Sequence, residues 1–498
     1  MGRLAARLAC TLALSAVLAG TGGASGTPSA RVPSTAGLTA TLGGSSGLPP
    51  AFFGVNFPYS EVAKDGPATE AQRDGQLAAL HPGTLRWPGG TDANYFRWQL
   101  GYPEPAGAAA NGLGQVELNG FVFTLSDLKA AYKRTGAPPV FDLNLMTPVD
   151  LSEAARLGEQ VALLKTAQHM GLPIAYVELG NEFYLSTTDY TQSFPDATSY
   201  GQTVAYFVSA LHRDFPGVLV AAVGSLPQGT SREQTWDSEM LNAAATANGL
   251  PDAVTLHAYP NWTTPLTVAD LPGFFAEAYS TTDDINDVVH GFPDPEPVWV
   301  TEYNLYPQVT ATTKPAQYTY AHALFVAEQE LLLQQVTGVA LVDYWTSFGN
   351  AAAGAYTGGP ANSTLTPVGL ALAWVGAAAS DATRTAPLVF EGAPALGNGE
   401  PAVLGYAFSS ATAVRDVIVN LSGQSLSVQS DVPGGFGAYI QVTGDPTTAM
   451  QSASQLTRTH GTAAAELTLA PYSITLSSRE PLPSVPPIKP PPCGTHCV

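Results

Sequence analysis

The sequence predicts an α/β fold, a (β/α)8 TIM barrel with a C-terminal all-β sandwich domain. Short apolar segments recur between residues 50 and 376, and the intervals between them are long enough for a helix or a loop. From about residue 385 the chain changes to short alternating segments joined by Gly, Ser, Asn and Asp turns. Helix and strand in alternation indicate a parallel sheet, whereas the later pattern indicates antiparallel strands.

The chain of 498 residues is too long for one ordinary core, which favours two domains. The predicted divisions are a signal peptide at 1–26, an N-terminal segment at 27–49, the barrel at 50–378, the sandwich at 379–478 and a Pro-rich tail at 479–498. Within the N-terminal segment, GLTATLGG (37–44) is expected to add an edge strand to the sandwich.

The first residues have the pattern of a secretory signal peptide. Arg3 and Arg7 precede the apolar run LACTLALSAVLAG, small residues follow in TGGASGT, and cleavage is expected near Gly26. The apolar run is too short to span a bilayer, and the sequence offers no other transmembrane candidate. We therefore expect a secreted protein that does not insert into a membrane.

The C-terminus carries two cysteines in CGTHC, Cys493 and Cys497. In an oxidising compartment this spacing favours a small local disulfide. A metal site that uses His496 stays open as an alternative, although it needs ligands from elsewhere in the chain.

Eight segments are candidates for barrel strands because their apolar character is nearly continuous, as burial on both faces requires. They are FFGVNF (52–57), TLRW (84–87), VFDLNL (140–145), AYVELG (175–180), VLVAAVG (218–224), AVTLHAY (253–259), PVWVTEY (297–303) and GVALVDYW (338–345). An open doubly wound sheet is the alternative, but it normally has a Gly-rich phosphate loop after its first strand, and FGVNFPYS lacks one.

Two of the intervals show clear helix signals. Residues 124–136 open with Thr124 and Asp127 at capping-box spacing and close on Gly136. Residues 152–171 begin at Ser152 and carry apolar residues at helical spacing up to Gly171.

Charge restricts the partners. The net formal charge is −20 and only 12% of residues are charged, so the chain repels phosphate backbones and nucleic acid is not an expected partner. The sequence carries no indication of an oligomeric state. No His, Cys or Asp cluster has metal-ligand spacing, so we expect neither a metal nor an organic cofactor.

Two carboxylates stand at the carboxyl ends of predicted strands, the end of a barrel where active sites lie. Glu182 follows the fourth strand and Glu302 ends the seventh, so both should face one mouth. Glycoside hydrolysis needs such a pair, because one group protonates the leaving oxygen while the other attacks or directs water at the sugar carbon. Glu178 lies deeper on the fourth strand and is expected to be structural.

Other polar and aromatic residues are expected at the same mouth. Those predicted to contact substrate or to support the carboxylates are Asn56, Arg86, Asn181, His257, Tyr259 and Trp345. Trp345 offers an aromatic face for stacking on a sugar ring, and Tyr259 is placed to hydrogen-bond the Glu302 carboxylate. Asp92 and Asn94 are weaker candidates for sugar contacts.

The motif order resembles clan A of the glycoside hydrolases, which are retaining enzymes on (β/α)8 barrels. The resemblance rests on NE after strand four, HxY at strand six and the Glu that ends strand seven. It implies that Glu182 is the acid/base, that Glu302 is the nucleophile and that Asn181 binds the sugar 2-hydroxyl. It also implies that Arg86 keeps Glu302 ionised.

Within the clan, ELGNE and LRWPGG are most similar to the heparanase/β-glucuronidase family. RWPGG is also similar to arabinofuranosidases and TEYN to β-xylosidases, so these activities are the alternatives. The expected substrate is an oligosaccharide, polysaccharide or glycoside. With only 20 Lys and Arg, the chain suits a simple glucuronide better than a highly sulfated polymer.

The proposed roles carry physical expectations. The pKa of Glu182 should be raised by apolar neighbours such as Phe183 and Tyr184, while Arg86 keeps Glu302 charged. A carboxylate gap of about 5 Å would mean retention, and one of roughly 7–9 Å inversion. A carbohydrate-binding protein without turnover is the alternative from another class, but it should lack a carboxylate or the supporting Arg86.

Overall fold

The computed structural model describes residues 36–63, 69–104, 122–146, 151–227, 229–262, 264–292, 297–305, 316–349, 354–361, 363–432 and 434–486. The predicted signal peptide at 1–26 and the cysteines Cys493 and Cys497 lie outside these residues. Across the described part of the chain, no helix is both long and apolar enough to cross a membrane.

The strands, in chain order, are β1 (Ala36–Leu42), β2 (Ser46–Gly47), β3 (Phe53–Asn56), β4 (Leu85–Trp87), β5 (Phe96–Arg97), β6 (Tyr102–Pro103), β7 (Pro139–Asp142), β8 (Tyr176–Glu178), β9 (Leu219–Val223), β10 (Ala253–Ala258), β11 (Val298–Tyr303), β12 (Val339–Tyr344), β13 (Tyr356–Thr357), β14 (Thr364–Leu365), β15 (Arg384–Glu391), β16 (Val403–Ser409), β17 (Val414–Asn420), β18 (Leu426–Ser430), β19 (Gly437–Thr443), β20 (Thr457–Ala463), β21 (Glu466–Leu469) and β22 (Ser473–Ser478). The α-helices are α1 (Tyr59–Ala63), α2 (Glu70–Ala79), α3 (Leu125–Thr135), α4 (Glu153–His169), α5 (Thr188–Ser193), α6 (Ala197–Asp214), α7 (Ser231–Thr246), α8 (Leu271–Gly291), α9 (Tyr320–Leu333) and α10 (Pro367–Ala379).

Eight parallel strands close into a barrel in the order β3, β4, β7, β8, β9, β10, β11, β12. Val55 of β3 pairs with Leu85 of β4 on one side and with Tyr344 of β12 on the other, which completes the ring. These are the eight segments that the apolar pattern predicted, so the predicted fold class is confirmed.

Both helices with clear sequence signals form where predicted. Thr124 and Asp127 make a reciprocal capping box at the start of α3, and Gly136 ends the helix in the left-handed region with φ of 78°. Ser152 caps α4 by accepting a hydrogen bond from the backbone of Ala155.

The barrel interior has an apolar lower layer and a charged upper layer. Side chains near the amino ends of the strands pack into a closed cluster made of Val140, Ala221, Ala253, Trp299 and Leu341. Above it lie buried polar side chains, among them Asn56, Arg86, Asp142, Glu178 and Glu302. The charged layer is therefore at the carboxyl ends of the strands, where the sequence predicts the site.

The C-terminal strands form a second, mainly antiparallel sheet in the order β20, β19, β22, β17, β16, β15, β1, β18, β21. The segment at 37–44 does add a strand to this sheet, but not at its edge, because β1 lies between β15 and β18 and pairs with both. Strands from both halves of this sheet share one core, with Leu38, Ile418 and Val428 among its buried members.

The outer face of this β domain packs on the helices that follow the last two barrel strands. Tyr406, Val417 and Leu476 belong to the same buried core as α9 and α10. Tyr320 at the start of α9 donates a hydrogen bond to the carbonyl of Val442 at 3.2 Å. The β domain thus braces the side of the barrel that carries Glu302 and Trp345.

Candidate active site

Glu302 is held by one donor on each carboxylate oxygen. Arg86 donates from Nη1 to Oε1 at 2.7 Å, and the Tyr259 hydroxyl donates to Oε2 at 2.5 Å. The side chain is almost fully buried, so the two hydrogen bonds fix its orientation. The predicted contact between Tyr259 and this carboxylate is present.

Arg86 lies fully buried beneath the site and joins three carboxylates. It donates to both oxygens of Glu178 at 2.6 and 3.2 Å and to Asp142 at 2.9 Å, besides Glu302. Burial alone would lower the pKa of Arg86, but the charges of these carboxylates outweigh it and raise that pKa well above its ordinary value. Glu178 is thus a structural carboxylate, as predicted.

Arg86 and Asn56 support the cleft from below. The Asn56 Oδ1 accepts from Arg86 at 3.0 Å, and its Nδ2 donates to the carbonyl of Thr301 at 2.7 Å. Neither side chain is exposed, so both are placed to support the carboxylates and do not provide the substrate contact expected of Asn56. Asn94 is likewise buried and holds the Asn181 backbone through both of its amide atoms, at 2.7 and 2.9 Å.

Glu182 reaches the site through a tight turn after β8. Gly180 and Glu182 both have positive φ, 87° and 51°, and a Cβ on Gly180 would lie 2.2 Å from the Phe183 ring. This turn explains why a buried strand ends in Gly-Asn-Glu. It aims the Glu182 carboxylate at the mouth, while Phe183 packs against Tyr190 and other aromatic rings.

The Glu182 carboxylate accepts hydrogen bonds from three side chains. His257 Nδ1 lies 2.9 Å and the Tyr184 hydroxyl 3.1 Å from Oε1, and Asn181 Nδ2 lies 3.5 Å from Oε2. The same His257 nitrogen lies 3.7 Å from Oε2 of Glu302. The imidazole therefore stands between the two predicted catalytic carboxylates.

The predicted direction of the Glu182 pKa was wrong. Burial raises the pKa of Glu182, but the hydrogen bonds and charge of His257 and the hydroxyl of Tyr184 outweigh it, so that pKa is lowered. Burial raises the pKa of Glu302 against the opposing charges of His257 and Arg86. Tyr184 was expected to be an apolar neighbour of Glu182, but its hydroxyl is a donor.

The pKa shifts favour a proton on His257, whereas the sequence assigned that proton to Glu182. Burial lowers its pKa, but the charges of Glu302 and Glu182 and the hydrogen bond to Glu182 raise it overall. An imidazolium between two carboxylates is the favoured protonation state of this group.

Glu182, His257 and Glu302 each place one possible ligand atom within 4.8 Å of the other two. This spacing could also hold a metal ion. Sequence spacing had indicated no such group, because the three residues lie in or just after three different strands. Each of the two carboxylates already accepts a hydrogen bond from a basic side chain, Glu302 from Arg86 at 2.7 Å and Glu182 from His257 at 2.9 Å. This arrangement suits a carboxylate pair acting on an organic substrate better than a cation site.

Above the carboxylates lies a cleft of about 400 Å³. Its described walls are formed by Gly90, Thr91, Asn181, Glu182, Tyr184, Leu185, Leu226, Glu233, His257, Tyr259, Glu302 and Trp345. Six of the predicted site residues thus share one cleft, namely Asn181, Glu182, His257, Tyr259, Glu302 and Trp345.

The sequence analysis missed Glu233 and Thr91 as cleft residues and Asp142 as a partner of Arg86. Glu233 lies in the first turn of α7, where an acidic residue ordinarily completes a capping box, so nothing in the local pattern indicated the cleft. Asp142 ends β7 inside the segment VFDLNL, and a carboxylate at the end of a barrel strand was the available signal.

A scan against protein-family models gives no match, and neither does a search of curated protein sequences. Solved structures do match. An α-L-arabinofuranosidase from Thermotoga maritima, in complex with arabinose, aligns over 89% of this chain and 99% of its own, with a TM-score of 0.66 and 16% identity. A family 51 α-L-arabinofuranosidase from Bifidobacterium longum covers 90% of this chain and 100% of its own, with a TM-score of 0.69 and 14% identity.

A 4-O-α-L-rhamnosyl-β-D-glucuronidase from Fusarium oxysporum aligns over 89% of this chain and 100% of its own, with a TM-score of 0.59 and 17% identity. Because arabinofuranosidases and a glucuronidase both match, the narrower resemblance to the heparanase/β-glucuronidase family is not supported over the broader one. At these identities the likeness concerns the fold, and the chain has the barrel and β-domain architecture of these glycoside hydrolases.

Proposed function

We propose that this protein is a retaining glycoside hydrolase with Glu302 as nucleophile and Glu182 as acid/base. The observation that carries the proposal is the spacing of the two carboxylates, whose nearest oxygens lie within 4.8 Å of each other. Retaining enzymes hold their carboxyl groups about 5–5.5 Å apart, whereas inverting enzymes leave roughly 6.5–9.5 Å for a water molecule.

In the first step, a Glu302 oxygen attacks the anomeric carbon and the bond from that carbon to the leaving oxygen breaks. Arg86 and Tyr259 hold the carboxylate in place for this attack, each through one hydrogen bond. The product is a covalent glycosyl-enzyme ester, while the leaving oxygen takes a proton from Glu182.

The proton for this step comes from the pair formed by His257 and Glu182. A sugar in the cleft excludes water and so disfavours separated charges. Transfer of the proton over the 2.9 Å from Nδ1 to Oε1 converts an imidazolium and a carboxylate into two neutral groups. In the second step Glu182 takes a proton from water, and the resulting hydroxide displaces Glu302 from the anomeric carbon.

The cleft favours a neutral sugar over the glucuronide that the sequence placed first. Its described lining residues include three acidic side chains, Glu182, Glu233 and Glu302, but no Lys or Arg. Arg86 is fully buried and engaged with Glu178, Asp142 and Glu302, so it offers no donor to a substrate carboxylate. An α-L-arabinofuranoside is the first candidate, because matching structures include enzymes of that name; a β-xyloside is the second.

The test is hydrolysis of 4-nitrophenyl α-L-arabinofuranoside, β-D-xyloside, β-D-glucoside, β-D-galactoside and β-D-glucuronide by the wild type, Glu302→Ala and Glu182→Ala, with and without azide. We expect azide to restore Glu302→Ala with an inverted glycosyl azide and Glu182→Ala with a retained one. Glu239→Ala, at an exposed position of α7, is the control and should match the wild type.

A Glu302→Ala variant with full activity would overturn the catalytic assignment. A carbohydrate-binding protein without turnover would bind sugars in calorimetry and hydrolyse none of the five glycosides. Preference for the glucuronide would favour a β-glucuronidase, the first choice from the sequence. It would also require a cation from outside the described cleft to bind the substrate carboxylate.

Export is part of the same proposal and rests on the basic, apolar and small-residue pattern of 1–26. Expression of the full chain in a secreting host, followed by N-terminal sequencing of protein from the medium, should give a start near residue 27. Retention of intact Met1 inside the cells would contradict it.

A further inference from the structure

The cleft is lined by residues from two separate parts of the barrel ring. Gly90, Thr91 and Trp345 follow β4 and β12, whereas Tyr184, Leu185, Leu226 and Glu233 follow β8 and β9. Because Glu182 protonates the leaving oxygen in the proposed reaction, the leaving group must lie next to this side chain. The neighbouring strands β8 and β9 carry the second set, which we call the leaving-group side.

Glu233 has a fixed position on the leaving-group side. Its Oε2 accepts a hydrogen bond from the backbone of Thr230 at 2.8 Å, and its own backbone donates to the Thr230 hydroxyl, which makes a capping box at the start of α7. A Cβ on Gly229 would lie 1.8 Å from Oε2, so the carboxylate packs directly over this glycine. The side chain is therefore held by the helix start.

The neighbouring cation does not neutralise Glu233. Arg232 donates to the backbone carbonyls of Phe183, Phe194 and Pro195 at 2.7 to 2.9 Å, and its guanidinium lies 4.6 Å from the Trp236 ring centroid. Among the described residues, no side chain donates to the second oxygen of Glu233. That oxygen is free to accept a hydrogen bond from a ligand.

We propose that Glu233 determines which leaving groups the enzyme accepts, by binding hydroxyl groups of a neutral sugar and repelling carboxylate or sulfate groups. This inference rests on the proposed function, since it assumes that a glycosidic bond is cleaved at Glu182 and Glu302. The ligand expected on the leaving-group side is therefore a neutral sugar with free hydroxyl groups.

The charge part is tested with two aryl glycosides that differ by one charge, the 4-carbamoylphenyl and 4-carboxyphenyl α-L-arabinofuranosides, or the same pair on whichever sugar the wild type cleaves. We compare kcat/KM for the two compounds after dividing each by its rate of spontaneous hydrolysis. On this scale the wild type should prefer the carbamoyl compound by roughly fivefold, which is the effect of repulsion between two charges about 4 Å apart in water. Glu233→Gln should abolish most of this preference, because Gln keeps the capping box and removes the charge. The wild-type preference should also shrink in 1 M salt.

Glu239→Gln, on the exposed face of the same helix, is the matched control and should keep the wild-type ratio. The hydroxyl part is tested with α-1,5-L-arabinobiose, or the matching disaccharide of the preferred sugar, against its 4-nitrophenyl glycoside. Glu233→Ala should lower the disaccharide-to-nitrophenyl ratio of kcat/KM by tenfold or more, mainly through KM.

A merely structural Glu233 would lower all rates together and leave both ratios unchanged, which would overturn the inference while the proposed function stands. An unchanged ratio in Glu233→Gln with unchanged rates would overturn it equally. A wild type that cleaves none of the compounds would instead overturn the proposed function, and this inference with it.

Discussion

The guanidinium of Arg86 binds Glu302 at 2.7 Å through one nitrogen and Glu178 at 2.6 Å through another. One buried cation thus connects the end of the seventh barrel strand to the fourth, the two strands that position the proposed catalytic pair. Buried ion pairs of this kind add little net stability, but they leave unpaired charges when one partner is removed. The position of Glu302 and the stability of the barrel therefore depend on the same side chain.

Replacement of Arg86 by Ala should leave Glu178, Asp142 and Glu302 buried without their shared cation. We expect a loss of about 3–5 kcal/mol in the free energy of unfolding, together with loss of glycosidase activity. Urea denaturation followed by circular dichroism measures the first effect. Arg213→Ala, which alters an exposed residue, is the control, and a stable Arg86→Ala protein would contradict this account of the buried layer.

The charged layer also shows what the sequence could predict. Continuous apolar segments identified all eight barrel strands, and strand ends identified Glu182 and Glu302, because both depend on local pattern and strand order. The protonation of Glu182 could not be predicted in this way. It depends on His257, which is 75 residues away along the chain and 2.9 Å away in the fold.

Asn56 and Glu233 also show what local sequence patterns cannot predict, since the first was expected in the cleft and is not there, and the second was not expected and is. Asn56 ends a barrel strand, as a substrate-binding residue would, but its side chain points at the buried Arg86. Glu233 has an ordinary helix-capping pattern, but the turn after β9 brings it to the cleft wall. Strand-end position predicts the region of a side chain, whereas its direction depends on contacts between distant strands.

His257 should determine the basic side of the pH profile. In the proposed reaction the proton for the leaving oxygen is held by the His257–Glu182 pair, and the pKa of His257 is raised above its ordinary value of about 6.5. In His257→Gln the proton rests on the Glu182 carboxyl alone, whose pKa is raised by burial but from an ordinary value of only about 4.3, about two units below that of an imidazole. The basic limb of kcat/KM against pH should therefore move to lower pH, with kcat reduced about 10- to 100-fold.

The matched control for His257 is His212→Gln, since His212 is exposed and pairs with Asp252 far from the cleft. That variant should keep the wild-type profile. A basic limb that stays in place in His257→Gln would show that another group holds the proton.

Gly90 permits the close approach of Trp345, the predicted aromatic platform. A Cβ on Gly90 would lie 2.4 Å from the indole ring, and the residue has a φ of 68°. Gly90→Ala should displace Trp345 into the cleft and raise KM by at least about tenfold, a loss typical of a misplaced binding group. Gly136→Ala is the control for backbone strain, because Gly136 has a φ of 78° with open space at its Cβ. If Gly90→Ala and Gly136→Ala had the same KM, Trp345 would not be part of the sugar-binding surface.

Glu330 should make the protein less stable as the pH rises. It lies buried in α9, where Tyr303 donates to Oε1 at 2.8 Å and no donor among the described residues reaches Oε2. Burial, opposed by the Tyr303 hydrogen bond, raises its pKa to about 8, against about 4.3 in the unfolded chain. The folded protein therefore binds this proton more tightly, and its free energy of unfolding falls between about pH 4 and pH 8, by up to about 5 kcal/mol.

Glu330→Gln removes this dependence because the amide has nearly the shape of the protonated acid but cannot ionise. Chemical denaturation at pH 4.5 should find the variant and the wild type similarly stable, and at pH 9 the variant should be more stable by several kcal/mol. Glu391→Gln, at an exposed position of β15, should follow the wild type at both pH values. A stability difference that is the same at pH 4.5 and pH 9 would mean that Glu330 is already ionised in the folded protein, and that its buried charge is stabilised by a group other than Tyr303.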